Sequence, residues 1–111
     1  MSTNRSKGTS FETMIVRYMR DNGFPMAERR ALHGSLDKGD INPGVPLVFE
    51  CKAAKRHELS NWIQQTEQER VNAEADFGVL VVKRQGHATG GEQYALMRFE
   101  DMLKLLKKAG Y

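Results

Sequence analysis

The sequence predicts an α/β domain: a mixed central sheet flanked by helices, in the order α-β-β-β-α-β-β-α. Three observations predict it. Three segments repeat apolar residues every three to four positions, the period of an amphipathic helix. Two short runs, Leu47 to Ala53 and Phe77 to Val82, are rich in apolar and β-branched residues and have the length of strands. A helical segment lies between those runs, and a strand-helix-strand order is the signature of a crossover within one sheet. With 111 residues the chain has room for one modest core and one domain.

The elements follow in order. Residues 1–8 are polar and basic and read as a flexible arm, leaving 9–111 as the single domain. Thr9-Ser10-Phe11-Glu12 fits a capping box, with Thr9 as N-cap and Glu12 at the third helical position. Phe11, Met14, Ile15, Tyr18 and Met19 then form one apolar face, and Asn22-Gly23 with Pro25 ends the helix. A first strand falls within 26–33 and a short second one at Asp40-Ile41. Asn42-Pro43-Gly44 turns the chain into the strand from Leu47 to Ala53. Leu59 to about Glu74 is the second helix, with Leu59, Trp62, Ile63 and Thr66 on one stripe. Phe77 to Val82 is nearly continuously apolar, as in a strand buried on both faces. A Gly-rich loop at His87 to Gly91 leads to a further strand, Gln93 to Arg98. Phe99, Met102, Leu103 and Leu106 mark a last helix. Its acidic start (Glu100, Asp101) and basic end (Lys104, Lys107, Lys108) match the helix dipole.

Composition narrows the chemistry. Apolar residues make up 40% and charged residues 28%, a globular mix. The longest apolar run falls far short of the roughly 18 residues that span a bilayer. The polar start has no secretory pattern, so a cytoplasmic location is the expectation. Cys51 is the single cysteine, which rules out an internal disulfide. His33, His57 and His87 are scattered, so a Cys/His zinc site is not expected. A metal, if used, must be held by oxygen, which points to Mg²⁺ or Mn²⁺. The net charge of +3 is a weak pointer to nucleic acid, and clustering strengthens it: Arg5 and Lys7, Arg29-Arg30, Lys55-Arg56 and Lys83-Arg84.

The third predicted strand carries the most informative pattern. Side chains alternate across a strand, so Phe49, Cys51 and Ala53 share one face while Val48, Glu50 and Lys52 share the other. Taken alone, Glu50-x-Lys52 is an ordinary surface ion pair. Asp40 changes its meaning. It lies ten residues earlier, across a turn, where a hairpin-like connection brings it beside Glu50. Two carboxylates and a lysine at one place suit phosphodiester hydrolysis. The carboxylates hold a divalent cation, and the lysine orients a water or offsets charge in the transition state. Glu12 has a complete explanation as a capping residue, but at 100° per residue it also falls at the border of the apolar face, partly aimed at the sheet.

At this point the chain resembles the PD-(D/E)XK nuclease superfamily, and within it the small archaeal and phage-type Holliday-junction resolvases. The resemblance covers roughly residues 8–84. It rests on Gly8-x-x-Phe11-Glu12, Arg29-Arg30, Gly39-Asp40-Ile41, Glu50-Cys51-Lys52, and Val79 to Lys83. Gly39 replaces the usual proline. The resemblance implies a restriction-endonuclease-like αβββαβ core with an extra C-terminal strand and helix. It implies metal binding by Asp40, Glu50 and the Cys51 carbonyl, with Glu12 as a further helix-borne acid and Lys52 as the catalytic lysine. Gln64 and Gln65 become candidates to support the site. The basic pairs become candidates for phosphate contact, which positions a substrate without reading its sequence. The expected activity is a Mg²⁺-dependent, structure-selective endonuclease acting on four-way DNA junctions. A homodimer would match the approximate two-fold symmetry of such a junction. Two rivals stand beside it: another nuclease of the same superfamily, of nicking, repair or restriction type, and a non-catalytic nucleic-acid-binding protein of the same fold.

Overall fold

The computed structural model describes residues 4–31 and 34–111. Its elements are α1 (Asn4–Asp21), β1 (Glu28–Arg29), β2 (Ile41–Asn42), β3 (Leu47–Lys52), α2 (Leu59–Ala73), β4 (Phe77–Val82), a 3-10 turn (Gly90–Glu92), β5 (Tyr94–Leu96) and α3 (Phe99–Lys108). The five strands form one sheet in the order β1-β2-β3-β4-β5. The β3–β4 pair is parallel, joined by α2 as the crossover, and the other pairs are antiparallel. The chain is therefore α/β, with a five-stranded mixed sheet flanked by helices.

The strand period distributes the core. Phe11, Ile15, Val16 and Met19 of α1 pack on one face of the sheet, against Ile41, Val81 and the partly buried Phe49, Cys51 and Val79. On the opposite face Trp62 of α2 meets Leu80 and Val82, with Ile63 and Leu96 at the margin. Alternate residues of β4 thus serve opposite cores, which accounts for its unbroken apolar run.

Several boundaries differ from expectation, the last strand shortening from Gln93–Arg98 to Tyr94–Leu96 because Arg98 caps α3. α1 begins at Asn4, not Thr9, so residues 4–8 of the expected arm belong to the helix. Gly8 weakens a helix interior without breaking it, and the flanking Arg5 and Lys7 favour the helix. Thr9 is therefore an interior residue whose carbonyl accepts the Thr13 hydroxyl at 3.0 Å, and Glu12 has no capping role. The first strand shrinks to Glu28–Arg29 at the sheet edge, pairing Glu28 with Asn42 and Arg29 with Ile41. Asp40 sits just before β2 rather than within it.

Two glycines set close approaches. Gly39 has φ +92°, and a Cβ there would lie 2.6 Å from the Val48 side chain, so the residue before Asp40 must be small for the loop to lie on β3. At Gly78 a Cβ would lie 3.0 Å from the Thr66 side chain and 3.1 Å from its carbonyl, which lets α2 seat tightly on β4.

α3 is attached differently. Asp101 is its buried residue, held by Arg98 Nε at 3.0 Å, and Arg98 also reaches Glu67 of α2 at 3.5 Å. Phe99, Leu103, Leu105 and Leu106 remain exposed. Among the described residues no helix is long and apolar enough to cross a membrane.

Candidate active site

β3 presents its charged face to α2. Glu50 is 4% exposed, and Lys52 Nζ lies 3.4 Å from its Oε2. The Lys52 ammonium also sits 5.9 Å from the centre of the Trp62 ring, so Trp62 both fills the core and flanks the lysine. On the neighbouring edge, Asp40 N donates to the Phe49 carbonyl at 3.0 Å, and Cys51 N donates to Asp40 Oδ2 at 2.8 Å. The backbone groups of Phe49 and Cys51 therefore face Asp40, and by strand geometry the Cys51 carbonyl faces the same edge. Asp40, Glu50 and Gln65 line a common cleft of about 560 Å³, with Arg29 and Arg30 on its wall.

Electrostatics tie the acids together. Burial, then the charge of Asp40, pushes the Glu50 carboxyl well above the usual carboxylate range, while a hydrogen bond with the Glu69 carboxyl and then the charge of Lys52 pull it back. Burial and then Asp40 also raise Glu12, against the pull of Arg29, whose Nε lies 3.4 Å from Glu12 Oε1. The Cys51 thiol is raised by burial and then by Asp40, Glu12 and Glu50. Three carboxylates from α1, β3 and the loop before β2 thus converge around one stretch of backbone.

The remaining expected residues divide. Gln65 faces the site, donating from Nε2 to Glu50 Oε2 at 3.1 Å and to Glu69 Oε2 at 3.4 Å. Gln64 is solvent-exposed, one 100° step round the helix, and takes no part. Arg29 is engaged by Glu12. Arg30 donates its backbone N–H to the Asp40 carbonyl at 2.8 Å. Lys55 and Lys83 line a second cleft with Lys52 and Trp62. Arg56 is exposed outside both clefts, and Arg84 lies over the Tyr94 ring at 5.7 Å. Arg5 and Lys7 fall in the first turns of α1, and their side chains lie outside the described part of the structure. His33 lies outside the described residues, His57 lies beside the Trp62 ring, and His87 is paired with Glu92.

Two acids escaped sequence reasoning. Glu69 is 1% exposed, and Asp37 lies in the loop ahead of Gly39. Glu69 had a signal: it continues the Trp62-Thr66 stripe by three residues, a carboxylate on the buried face of α2. Asp37 had none, because only the loop's path brings it to the site.

The donors suit a hard divalent cation. All are oxygens, and Glu50 Oε1 is buried without a hydrogen-bond partner. No protein-family model, curated protein or solved structure matches this chain, so its chemistry is read from its own residues.

Proposed function

We propose that this chain is a divalent-metal-dependent DNA endonuclease of the PD-(D/E)XK kind, hydrolysing phosphodiester bonds, with a four-way junction as its substrate. One observation carries the reading: Asp40 and Glu50 line one cleft, Lys52 stands 3.4 Å from Glu50, and Glu50 keeps a buried oxygen without a partner. A carboxylate in that state costs several kcal/mol unless it meets a cation or a proton.

Asp40, Glu50 and the Cys51 carbonyl would hold Mg²⁺ or Mn²⁺. When bound, the cation would polarise the phosphate and lower the pKa of a coordinated water. The chain's own residues do the rest. Lys52, braced by Glu50 and Trp62, is placed to orient the attacking water and to offset the charge that grows on the phosphate. The Cys51 N–H fixes the Asp40 carboxylate in one orientation. Gln65 fixes Glu50 from the α2 side. Glu12, with its raised affinity for a proton, is placed to accept one from a water on the α1 side. Arg30 beside the first cleft, and Lys55 and Lys83 beside the second, supply phosphate contacts on either side of Lys52.

A homodimer fits the same reading. α3 carries the exposed Glu100 at its start and Lys107 and Lys108 at its end, with Phe99, Leu103 and Leu106 exposed along it. Two copies paired antiparallel would cover the apolar face and set acidic ends against basic ends.

Cleavage of a labelled four-way junction, a fork and a linear duplex, in Mg²⁺ or EDTA, tests the proposal. Cutting should require Mg²⁺ and favour the junction, and both Asp40→Ala and Lys52→Ala should abolish it. Activity surviving Asp40→Ala would remove the metal assignment. Equal cutting of duplex and junction would leave a nuclease of broader substrate. Junction binding with no cleavage would favour the non-catalytic reading.

A further inference from the structure

Glu69 is the most costly side chain in the described structure that the proposed cleavage chemistry leaves unused. It is 1% exposed, sits on the sheet-facing side of α2, and has no basic partner among its hydrogen bonds and ion pairs. The ionisable neighbours acting on it, Asp37 and Glu50, are both acids. Isolated buried carboxylates are rare because desolvation opposes them, and a cluster of like charge adds to the cost.

The geometry of the cluster is specific. One carboxylate oxygen from each of Asp37, Glu50 and Glu69 lies within 4.8 Å of the other two. The Gln65 amide takes Oε2 of Glu50 and Oε2 of Glu69. The remaining oxygen of each, Glu50 Oε1 and Glu69 Oε1, is buried and lacks a partner. Gln65 therefore holds two carboxylates side by side by one oxygen each and leaves the other two unsatisfied. Asp37 is exposed and closes the group from the loop. Its Oδ1 accepts the Gly39 N–H at 2.9 Å, and its carbonyl accepts Asn72 Nδ2 at 2.8 Å, which ties the loop to α2. The Asp37 side opens on the cleft that Asp40 and Glu50 also line, which gives a hydrated ion a way in.

We infer that Asp37, Glu50 and Glu69 form a second divalent-cation site on the α2 side of β3, separate from the Asp40 centre and joined to it through Glu50. Three protein oxygens with the rest of the shell supplied by water suit Mg²⁺ or Mn²⁺, which keep several waters when bound by carboxylates. Gln65 acts as a positioning residue for both acids. The site shares Glu50 with the centre proposed above, but it stands whether or not the chain cleaves DNA.

Mn²⁺ binding to the full chain tests it. Stoichiometry and affinity would be read by calorimetry and by the paramagnetic resonance of free Mn²⁺, for the natural sequence, Glu69→Gln, Asp37→Asn and Asp40→Asn. Two ions per chain are expected. Glu69→Gln and Asp37→Asn should each lose one of them, or weaken it at least about tenfold, and keep the other. Asp40→Asn should retain the ion on the α2 side. Glu69→Gln conserves shape and replaces a buried carboxyl whose ionisation opposes folding, so in EDTA it should melt no lower than the natural sequence. Asp37→Asn, at an exposed position, carries the test if Glu69→Gln fails to fold. A single ion that is lost in Asp40→Asn and indifferent to Glu69→Gln and Asp37→Asn would overturn the inference, leave the cleavage proposal intact, and reduce the cluster to carboxyls sharing a proton. A single ion lost in Glu69→Gln and kept in Asp40→Asn would support the inference and count against the catalytic metal.

Discussion

The two faces of β3 contrast sharply. Toward α1 the strand offers Phe49 and Cys51, which join a core of Phe11, Ile15, Val16 and Val81. Toward α2 it offers Val48, Glu50 and Lys52, and the helix answers with Gln65, Trp62 and Glu69. The first face maximises burial of apolar area, which stabilises the fold by roughly 25 cal/mol per Å². The second buries charge, which costs free energy unless something binds there. The same strand thus serves folding on one side and, in the proposed reading, chemistry on the other, and substitutions on the two faces should separate those roles.

The largest separation should come from Glu50→Gln. Cleavage should fall by about 10³-fold or more, the scale of losing a group that stabilises transition-state charge. Stability measured in EDTA should rise or stay level, because glutamine removes a buried carboxyl whose ionisation opposes folding. A matching loss of both would merge the two faces into one structural role. Phe11→Ala on the opposite face should do the reverse. It should lower unfolding free energy by about 3–5 kcal/mol in urea titrations, with cleavage per folded molecule unchanged. Gln65→Leu should reduce cleavage about 10–100-fold, the usual scale for a residue that orients a metal ligand, while junction binding in Ca²⁺ persists.

The sign of the pH dependence follows from the raised carboxyls. Burial and Asp40 raise Glu50, and burial with Asp37 and Glu50 raises Glu69. In the folded chain both hold protons at pH values where the unfolded chain has released them. The folded state therefore binds more protons above the ordinary carboxylate range, and stability falls as pH rises through that range toward neutrality and beyond. The melting temperature in EDTA should drop along that path. Glu69→Gln should flatten the slope, and saturating Mn²⁺ should offset it, since a cation stabilises the ionised form.

The smallest effect lies away from both faces. Glu74 ends α2 in the left-handed region, with φ 53°. Glu74→Gly should raise the melting temperature slightly, by relief of roughly 1 kcal/mol of backbone strain less the entropy glycine adds to the unfolded chain.

Much of this division was legible before any coordinates. Alternation assigned Glu50 and Lys52 to the face opposite Phe49 and Cys51, because a strand has one period and no freedom to depart from it. The turn at Asn42 to Gly44 was enough to return Asp40 to β3. The limits of α2 and β4 followed from turn residues and apolar runs. The start of α1 did not, because Thr9 and Glu12 imitate a capping box inside a helix that already runs. Gln64 and Gln65 were indistinguishable by composition, and one residue of helical rotation separates an exposed amide from one that grips two carboxylates. Asp37 was invisible for a different reason: loop paths depend on tertiary contacts, here the Asn72 to Asp37 hydrogen bond and the tight seat of Gly39 on Val48.

The isolated thiol has a practical consequence. Cys51 packs under α1, with burial and three neighbouring acids opposing its ionisation. At neutral pH it should react slowly with maleimides and disulfide reagents. A cysteine introduced at an exposed position such as Gln64 or Arg56 can therefore take a fluorophore selectively, without removal of the natural one. The same reluctance makes Cys51 a built-in probe: its rate of alkylation, followed with and without Mn²⁺, reports how far a cation offsets the three acids that oppose its ionisation.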